Sequence, residues 1–377
     1  MKIAVILLGD VYSSEGTNIR ARRVLELLYP THELVLIHCS KENNKSLAGM
    51  EGVQIINLGD KVLNFISSQP QFSPVKALYS VLWGPKLAIV ILTHHFDILY
   101  YIWDFMGFMG TNFIAQIKKI KTIFEAHSII SADMHAEGRP RIMVKMFRII
   151  EKFVMKRADL IVALSDNALK AYKTYNPAIE FFPAYVDTDR FINKSSNRPS
   201  PFYKMKRVGL IGPFDISKRH RYYLDFLYNH IEQFDNSITF LVIGRCQRKL
   251  NNERIVYTGY LNSTADYITH LCRLDIVLVP EMIGTAGPLT KIIESMSCAL
   301  PVFTTPAGLI GLHEVEPGKD IFVYKIDDLV EKVNQQIYDE ARLHEVGTNA
   351  RVTVEKYYSE KVVKQRFIHL VESLWSE

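Results

Sequence analysis

Short apolar runs alternate with helical patterns along most of the chain. Strands are predicted at residues 2–8, 32–39, 53–58, 97–103, 121–127, 160–165 and 179–185, and again at 207–212, 238–244, 254–259, 275–280, 301–305 and 321–325. Continuous apolar runs of this length are typical of strands buried on both faces, and helices between them indicate parallel α/β sheets. The pattern therefore predicts two doubly wound domains in succession.

A polar, proline-bearing segment at 193–201 interrupts the alternation and predicts a linker. We place the first domain at 1–190, the linker at 191–206 and the second domain at 207–356. Residues 357–377 repeat apolar positions near helical spacing. They predict a last helix, whose apolar face needs a surface to cover.

The segment 139–157 has the clearest amphipathic pattern in the chain. Basic residues form one narrow stripe, at Arg141, Lys145, Arg148, Lys152 and Lys156. Apolar residues are expected on the opposite side, at Ile142, Met146, Ile149, Ile150 and Phe153. One interpretation is a helix that packs on the sheet and exposes its basic face to water. The other is that the stripe at 141–156 also rests on anionic lipid, where roughly 1 kcal/mol per basic residue would give reversible attachment without insertion.

Composition limits the class of protein. The chain has 377 residues, of which 48% are hydrophobic, which is enough for real cores, and we expect no signal peptide because the N-terminus is typical of a first strand. The four cysteines form no C-x-x-C pair, so neither a zinc site nor a disulfide framework is predicted and a reducing cytosol fits best. A net charge of +5 favours an anionic partner. Nucleic acid is disfavoured, because no RNA-binding, helix-turn-helix or zinc signature occurs.

The stretch after the apolar run 275–279 carries the strongest candidate chemistry. Gly287 is predicted as the N-cap and Pro288 as the first residue of a helix, so that the N–H groups of Leu289 and Thr290 point into a glycine-bearing loop. A helix start of this kind binds phosphate. Lys291 and Glu294 lie three residues apart on the same helix. A carboxylate beside a phosphate is expected where a ribose diol is also held; the alternative is an ordinary surface Lys–Glu pair.

Other motifs give weaker signals. The loop 9–17 after the first strand is not G-x-G-x-x-G, which disfavours a dinucleotide dehydrogenase. Asp187 and Asp189 form a nominal D-x-D, but no histidine or third carboxylate lies nearby in sequence. His94-His95 is a nominal metal pair, but beside Phe96 and Asp97 at the edge of a strand it is interpreted as a cleft edge or a capped core position. We predict no metal and no cofactor.

Several of these segments together resemble one known family. They are Asp275–Pro280, the run Glu294–Phe303 with its small residues before Pro301, the loop Gly212–Lys218 after the second domain's first strand, Phe124–His127, and Val186–Phe191. They are similar to the retaining glycosyltransferases of the GT-B fold that often carry an E-x(7)-E motif, the glycosyl transferases of group 1 or family 4 type. The resemblance covers nearly the whole chain and implies two Rossmann-like domains facing across a cleft, with the last helix crossing back to the first domain.

The resemblance also implies roles for particular residues. The catalytic positions fall on His127, Lys218 and Glu294. The donor-binding positions fall on Gly16, Gly212, Lys218, Gly287, Pro288, Leu289, Lys291 and Glu294. Where the family often has its first glutamate this chain has Ala286, and where an arginine is usual it has Pro213. Lys291 is expected to compensate for that arginine, and Glu281 is a weaker candidate for the carboxylate.

The resemblance implies a metal-independent, hexosyltransferase-type enzyme that moves a sugar from a UDP-, GDP- or ADP-sugar to a glycan or lipid-linked acceptor, with retention. It further implies a cytoplasmic protein, peripheral on the inner face of the membrane if the basic stripe is used. The alternative, motivated by Ala286 and Pro213, is a catalytically silent GT-B subunit or nucleotide-sugar-binding partner protein.

Overall fold

The chain divides into two compact units, each built on one parallel sheet. The computed structural model describes residues 1–12, 16–40, 47, 49–60, 74–136, 138–182, 184–192, 205–212, 214, 218–261, 263–282 and 289–376. Unit 1 comprises Met1–Phe182 and Lys364–Glu377, and unit 2 comprises Pro183–Val363. The linker predicted at 191–206 lies mostly outside the described residues.

Unit 1 is organised around a seven-stranded sheet in the order β3-β2-β1-β4-β5-β6-β7. Its strands are β1 (Lys2–Leu7), β2 (Glu33–His38), β3 (Gln54–Asn57), β4 (Ile98–Ile102), β5 (Lys121–Ala126), β6 (Leu160–Ala163) and β7 (Ile179–Phe181). Its helices are α1 (Gly16–Leu28), α2 (Pro74–Thr93), α3 (Phe105–Ile117), α4 (Ile130–Ala136), α5 (Arg141–Arg157) and α6 (Asp166–Lys173). All strand pairs are parallel. The strands between the two edges are almost entirely buried because helices cover both faces, whereas the edge strands β3 and β7 are partly exposed.

Unit 2 repeats the plan with six strands in the order β10-β9-β8-β11-β12-β13. Its strands are β8 (Lys206–Ile211), β9 (Ile238–Ile243), β10 (Ile255–Gly259), β11 (Ile276–Val279), β12 (Val302–Thr304) and β13 (Phe322–Val323). Its helices are α7 (Lys218–His230), α8 (Thr264–Leu271), α9 (Thr290–Ser297), α10 (Leu329–Gln336) and α11 (Glu340–Tyr357). Arg351 on α11 donates to the carbonyls of Thr188 and Phe191, which fastens the start of the unit to its last helices.

The last helix, α12 (Glu360–Ser376), buries its apolar face against unit 1. Phe367 packs on Tyr100 of β4 and on Phe182. Lys364 Nζ donates to the carbonyls of Glu26 and Tyr29, where α1 ends. A lysine at a helix end satisfies carbonyls that have no partner within the helix, so this contact fixes α12 as well as capping α1.

The predicted fold class is confirmed: both units are doubly wound parallel sheets, and every predicted strand occurs within a few residues of its expected bounds. In the described residues no helix is both long enough and apolar enough to cross a bilayer.

One expectation is wrong. Ile142, Met146 and Ile149 of α5 do not pack on the sheet but are exposed, Ile142 to 78%. The helix is instead buried through Val144, Glu151, Val154 and Met155. Its two flanks are both apolar, so the sequence pattern alone does not show which of them faces the core.

Candidate active site

Both sheets have the strand order that creates a crevice at the carboxyl edge, where the chain leaves the first strand to one side and returns on the other. In unit 2 this switch point lies between β8 and β11. Lys291, on the helix that follows β11, reaches across it: Nζ donates to the carbonyl of Ile211, the last residue of β8, at 2.6 Å. The same ammonium lies 4.5 Å from the centroid of the Tyr223 ring. A cation is thus fixed at the switch point by a carbonyl dipole and an aromatic face.

A buried carboxylate, Glu281, is bonded to the same tyrosine whose ring lies against this cation. Tyr223 of α7 donates its hydroxyl to Glu281 Oε2 at 2.6 Å, and Glu281 is 1% exposed in the loop after β11. Thr305 donates its hydroxyl to the backbone carbonyl of Glu281. Because its carboxylate is enclosed and engaged by Tyr223, Glu281 is placed to hold the loop rather than to meet a substrate.

Helix α9 begins later than the sequence predicts. Its N-cap is Leu289, in extended conformation, and its first residue is Thr290. The predicted N-cap at Gly287 and first helical residue at Pro288 are therefore wrong, and these two residues lie outside the described part of the chain. Leu289 is buried, so its packing sets the start of the helix. The N–H groups at this start have no acceptor within the helix, and the positive end of the helix dipole lies there.

Glu294 lies one turn along α9 from Lys291. Its Oε2 accepts a hydrogen bond from the Tyr267 hydroxyl of α8 at 2.8 Å. Burial, together with the Glu294 charge, raises the pKa of Tyr267 well above its usual range, so the phenol stays a donor. The interpretation of Lys291 and Glu294 as a surface pair is wrong for the lysine, which is only 8% exposed.

The end of β8 is shaped by close packing. A Cβ on Gly212 would stand 2.4 Å from the Phe214 ring, and one on Gly244 would stand 2.8 Å from the Gly212 carbonyl oxygen. Gly244 also has φ +120°, which side-chain-bearing residues rarely adopt. The chain therefore leaves β8 along a path that needs glycine. Lys218 is the first residue of α7, and its side chain lies outside the described atoms.

In unit 1 the most unusual group at the carboxyl edge is Glu125, near the end of β5 and fully buried. Arg20 of α1 donates through Nε to both carboxylate oxygens at 3.0 Å and through Nη2 to Oε2 at 2.9 Å. Tyr100 of β4 donates its hydroxyl to Oε2 at 2.7 Å. The third partner is His127, whose Nε2 lies 2.8 Å from Oε1.

These contacts decide the charge of the cluster. Burial alone would raise the pKa of Glu125, but the Arg20 guanidinium and the bond to His127 outweigh it and lower the pKa to about 2. The carboxylate is therefore ionised at any physiological pH. Burial and the adjacent Glu125 charge raise the pKa of Tyr100 well above its usual range, so Tyr100 remains a hydroxyl donor.

His127 is held on two sides. The ring of Trp103 stacks on it at 5.3 Å with an interplanar angle of 15°, and Glu125 anchors Nε2. In the neutral form of the ring, with Nε2–H donating to the carboxylate, Nδ1 is the acceptor nitrogen. His127 therefore presents a fixed ring at the carboxyl edge of unit 1. Gly16 begins α1, the helix that carries Arg20.

Sequence reasoning missed the partners of the predicted residues, namely Glu125, Arg20, Tyr100, Tyr223 and Tyr267. One signal was available. Glu125 stands inside an otherwise apolar strand, and a buried carboxylate needs a cation or several donors. Its partner Arg20 is 105 residues away along the chain, so no local pattern connects the two.

Neither nominal metal motif forms a metal site in the structure. Asp187 Oδ1 accepts from the N–H groups of Asp189 and Arg190, so the D-x-D carboxylate closes a turn. His94 Nδ1 lies 3.0 Å from the Val90 carbonyl oxygen, and its ring stacks on Phe96. Within the described ranges, no three or more His, Cys, Asp or Glu side chains are grouped so as to hold a metal ion.

Two doubly wound parallel sheets define a two-unit α/β architecture, and comparison with known families assigns it to a class of enzyme. Residues 31–190 match the Glycosyltransferase Family 4 model, and residues 205–341 match the Glycosyl transferases group 1 model. The chain thus carries both domains of a GT-B glycosyltransferase. No curated protein sequence is similar enough to count as a relative.

Solved structures agree on the fold. HepE of Anabaena, solved in complex with UDP and glucose, has a TM-score of 0.68 at 16% identity, with 99% of this chain and 100% of that chain covered. Sucrose-phosphate synthase of Thermosynechococcus elongatus has a TM-score of 0.78 at 15% identity, with 100% and 99% covered. The lipopolysaccharide outer core galactosyltransferase WaaB, in its apo form, has 0.70 at 14% identity, with 99% of each chain covered. These likenesses confirm the GT-B fold.

Proposed function

We propose that this glycosyltransferase moves a sugar from a nucleotide-sugar donor to a glycan or lipid-linked acceptor, without a metal and with retention at the sugar's anomeric carbon. The observation that carries the proposal is Lys291. A buried ammonium bonded to the end of β8 stands at the switch point of unit 2, one helical turn from Glu294 and beside the start of α9. That is the set of groups that a nucleoside diphosphate requires.

The leaving diphosphate gains negative charge as the glycosidic bond breaks. Without a metal, that charge has to be met by cations and backbone dipoles fixed beforehand. Lys291 is fixed by Ile211 and Tyr223, and the positive end of the α9 dipole adds to its charge. Lys218, at the start of α7, would supply the second cation. Gly212, Gly287, Pro288 and Leu289 would let the backbone approach the phosphates.

Glu294 would bind the ribose hydroxyls. Tyr267 donates to Oε2 and so sets the orientation of the carboxylate, which can still accept from a diol because each oxygen carries two lone pairs. Ala286, where the related motif often has glutamate, leaves Glu294 as the motif carboxylate of this chain.

In unit 1, His127 would accept a hydrogen bond from a sugar hydroxyl through Nδ1. Glu125 and Trp103 would position it without touching the substrate. Gly16 would allow the α1 start to approach the donor phosphates. HepE was solved with UDP and glucose, which makes a UDP-sugar the first donor to try on this chain.

We further propose that the enzyme works in the cytoplasm and peripherally on the inner face of the membrane. The basic residues of the stripe at 141–156 are exposed, as surface attachment requires. A lipid-linked acceptor would be reached at that surface. The net charge of +5 agrees with an anionic partner of this kind.

Isothermal titration calorimetry with UDP, GDP and ADP tests the donor site. One nucleotide should bind, and Glu294→Ala should weaken it by about 10- to 100-fold, because a hydrogen bond to a charged group is worth about 1.5–3 kcal/mol. Glu253→Ala, at an exposed position of the same unit, is the matched control. Unchanged affinity in Glu294→Ala would contradict the ribose role. A donor that binds but is never turned over with any acceptor would favour the silent subunit instead.

A further inference from the structure

Large apolar side chains are exposed on three neighbouring helices of unit 1. They are Leu82, Ile89 and Leu92 on α2, Met109, Phe113 and Ile117 on α3, and Ile142, Met146 and Ile149 on α5. We name this set the apolar face. Phe113 is 72% exposed and Ile149 is 70% exposed, so these are not core residues at the edge of a groove. Apolar patches of this extent mark interaction sites on a protein surface.

The three helices lie in one layer, because their inward side chains share one core. Trp83 and Leu87 of α2, Phe108 of α3 and Val154 of α5 belong to the same buried cluster, together with the strand residues that point to that side of the sheet. Helices that cover the same side of a sheet have their outer surfaces on the same side of the molecule. The apolar face is therefore one surface rather than three separate patches.

The spacing between α2 and α3 is fixed. Gly84 and Gly110 touch, since a Cβ on Gly110 would stand 2.7 Å from the Gly84 Cα atom. Further along, Lys118 Nζ donates to the carbonyls of Ile91 and His94 at the end of α2. The two contacts show that the helices run in the same direction, so Ile89 and Leu92 are level with Phe113 and Ile117. α3 in turn packs on α5.

The exposed charges carried by the three helices themselves have one sign. Arg141, Lys145, Arg148 and Lys152 are exposed on α5 between and beside its apolar residues. Lys118 and Lys119 follow directly after α3. Of the described side chains on 82–93, 105–117 and 141–157, the single carboxylate is Glu151, which is buried and accepts from Tyr172. An exposed carboxylate from outside these helices, Asp60, is paired with Lys86 of α2. A surface of exposed apolar residues in which cations predominate complements an anionic bilayer.

We propose that the apolar face docks on an anionic lipid bilayer, with Phe113, Ile142 and Ile149 entering the acyl boundary and the α5 cations on the headgroups. The purpose of this docking rests on the proposed function, since docking would hold the enzyme beside a lipid-linked acceptor. It also changes the mode of attachment. Basic residues alone would give adsorption, whereas helices lying in the interface bury their apolar side about 5–10 Å deep.

Co-sedimentation of the whole chain with vesicles tests the proposal. Wild type should bind vesicles of phosphatidylglycerol and phosphatidylcholine and not vesicles of phosphatidylcholine alone. Phe113→Ser/Ile142→Ser/Ile149→Ser should lower the partition coefficient at least tenfold. Arg141→Gln/Lys145→Gln/Arg148→Gln/Lys152→Gln should lower it by about 10³-fold. Val256→Ser/Tyr260→Ser/Val352→Ser, at exposed apolar positions of unit 2, is the control and should bind as wild type.

Depth is measured separately. Phe113→Trp should gain emission that lipids brominated on their acyl chains quench, and Tyr260→Trp should not. Binding that survives the serine triple variant would overturn the proposal, as would wild type that ignores anionic vesicles. A wild-type dimer that the same variant makes monomeric, without vesicle binding, would assign the face to a second copy of the chain.

UDP titration of the same proteins separates the two proposals. The serine triple variant changes unit 1 and leaves the donor-site residues of unit 2 unaltered, so it should bind nucleotide as wild type does. If wild type binds nucleotide but does not bind anionic vesicles, the docking inference alone is contradicted. Intact vesicle binding without nucleotide binding would sink the proposed function and leave the docking surface standing.

Discussion

Both units bury a glutamate near the carboxyl edge of their sheet, and both give it a tyrosine hydroxyl, but they place the cation differently. In unit 1 Arg20 bonds directly to Glu125 with a three-bond fork. In unit 2 the cation Lys291 stands on a strand carbonyl and on the ring of Tyr223, and the hydroxyl of that tyrosine bonds to the Glu281 carboxylate.

The difference separates two uses of a buried cation. Arg20 is bonded to the Glu125 carboxylate, so the two charges largely cancel at short range. The pair stabilises the fold, and Glu125 positions His127. Lys291 stands on a carbonyl dipole and an aromatic face beside the start of α9, where a positive charge would favour an anionic ligand. We therefore expect substitutions at Arg20 to act mainly on stability and substitutions at Lys291 mainly on binding.

The largest effect should come from Arg20→Met. Removing the cation leaves Glu125 buried without its charge partner, which costs about 3–5 kcal/mol of unfolding free energy. Urea unfolding followed by tryptophan emission reports it, because Trp83, Trp103 and Trp375 all belong to unit 1. Arg148→Met, at an exposed position, is the control. The double variant Arg20→Met/Glu125→Leu should recover much of the loss; a single variant as stable as the control would refute direct pairing.

Acid should weaken unit 1 through Glu125. Its pKa of about 2 in the fold lies below the ordinary value of 4.5, so its contribution is present above pH 4.5 and is lost as the pH falls toward 2. The shift corresponds to about 3 kcal/mol. The measurement is the unfolding free energy at pH 5 and pH 3, in wild type and in Arg20→Met/Glu125→Leu. Asp104, whose pKa burial raises to about 6, titrates in both proteins and cancels. Equal pH slopes in the two proteins would contradict the assignment.

Lys291→Met should weaken nucleoside diphosphate binding by about 10- to 100-fold, since charge-assisted hydrogen bonds are worth about 1.5–3 kcal/mol. Methionine retains the apolar stem over Tyr223, so the unfolding free energy of unit 2, followed by circular dichroism, should change little. Calorimetry with the nucleotide that binds wild type gives the affinity. Lys332→Met, on α10 of the same unit, is the matched control. A variant that loses stability but keeps its affinity for the nucleotide would show that Lys291, like Arg20, acts on stability and not on binding.

Tyr100→Phe should have the smallest effect, about 1 kcal/mol of unfolding free energy. Glu125 loses one hydrogen-bond donor but keeps its bonds to Arg20 and His127, so its buried charge stays paired. The same tryptophan assay measures it. A loss as large as that of Arg20→Met would show that the hydroxyl, rather than the guanidinium, carries the stabilisation.

The sequence predicts the sheets well because both are buried on each face, and a continuous apolar run marks such a strand without reference to its neighbours. It also predicts Lys291 and Glu294, which lie on one helix. It does not predict how residues distant along the chain are paired. Arg20 and Glu125 are 105 residues apart along the chain, and Tyr267 and Glu294 are 27 apart. The folded arrangement of the elements, and not a local pattern, brings each pair together. The exposed flank of α5 was misassigned for a related reason, since α3 and the sheet select which apolar flank is buried.

The contact between Gly84 and Gly110 sets how the apolar face behaves as a whole. Because α2 and α3 are in backbone contact at these glycines, they cannot move independently. Their exposed side chains therefore lose conformational freedom relative to one another when the chain folds. A surface ordered in advance has less conformational entropy to lose when it meets a partner. Gly110→Val would push the backbones apart and restore that cost, so it should weaken vesicle binding although no lipid-facing side chain is altered.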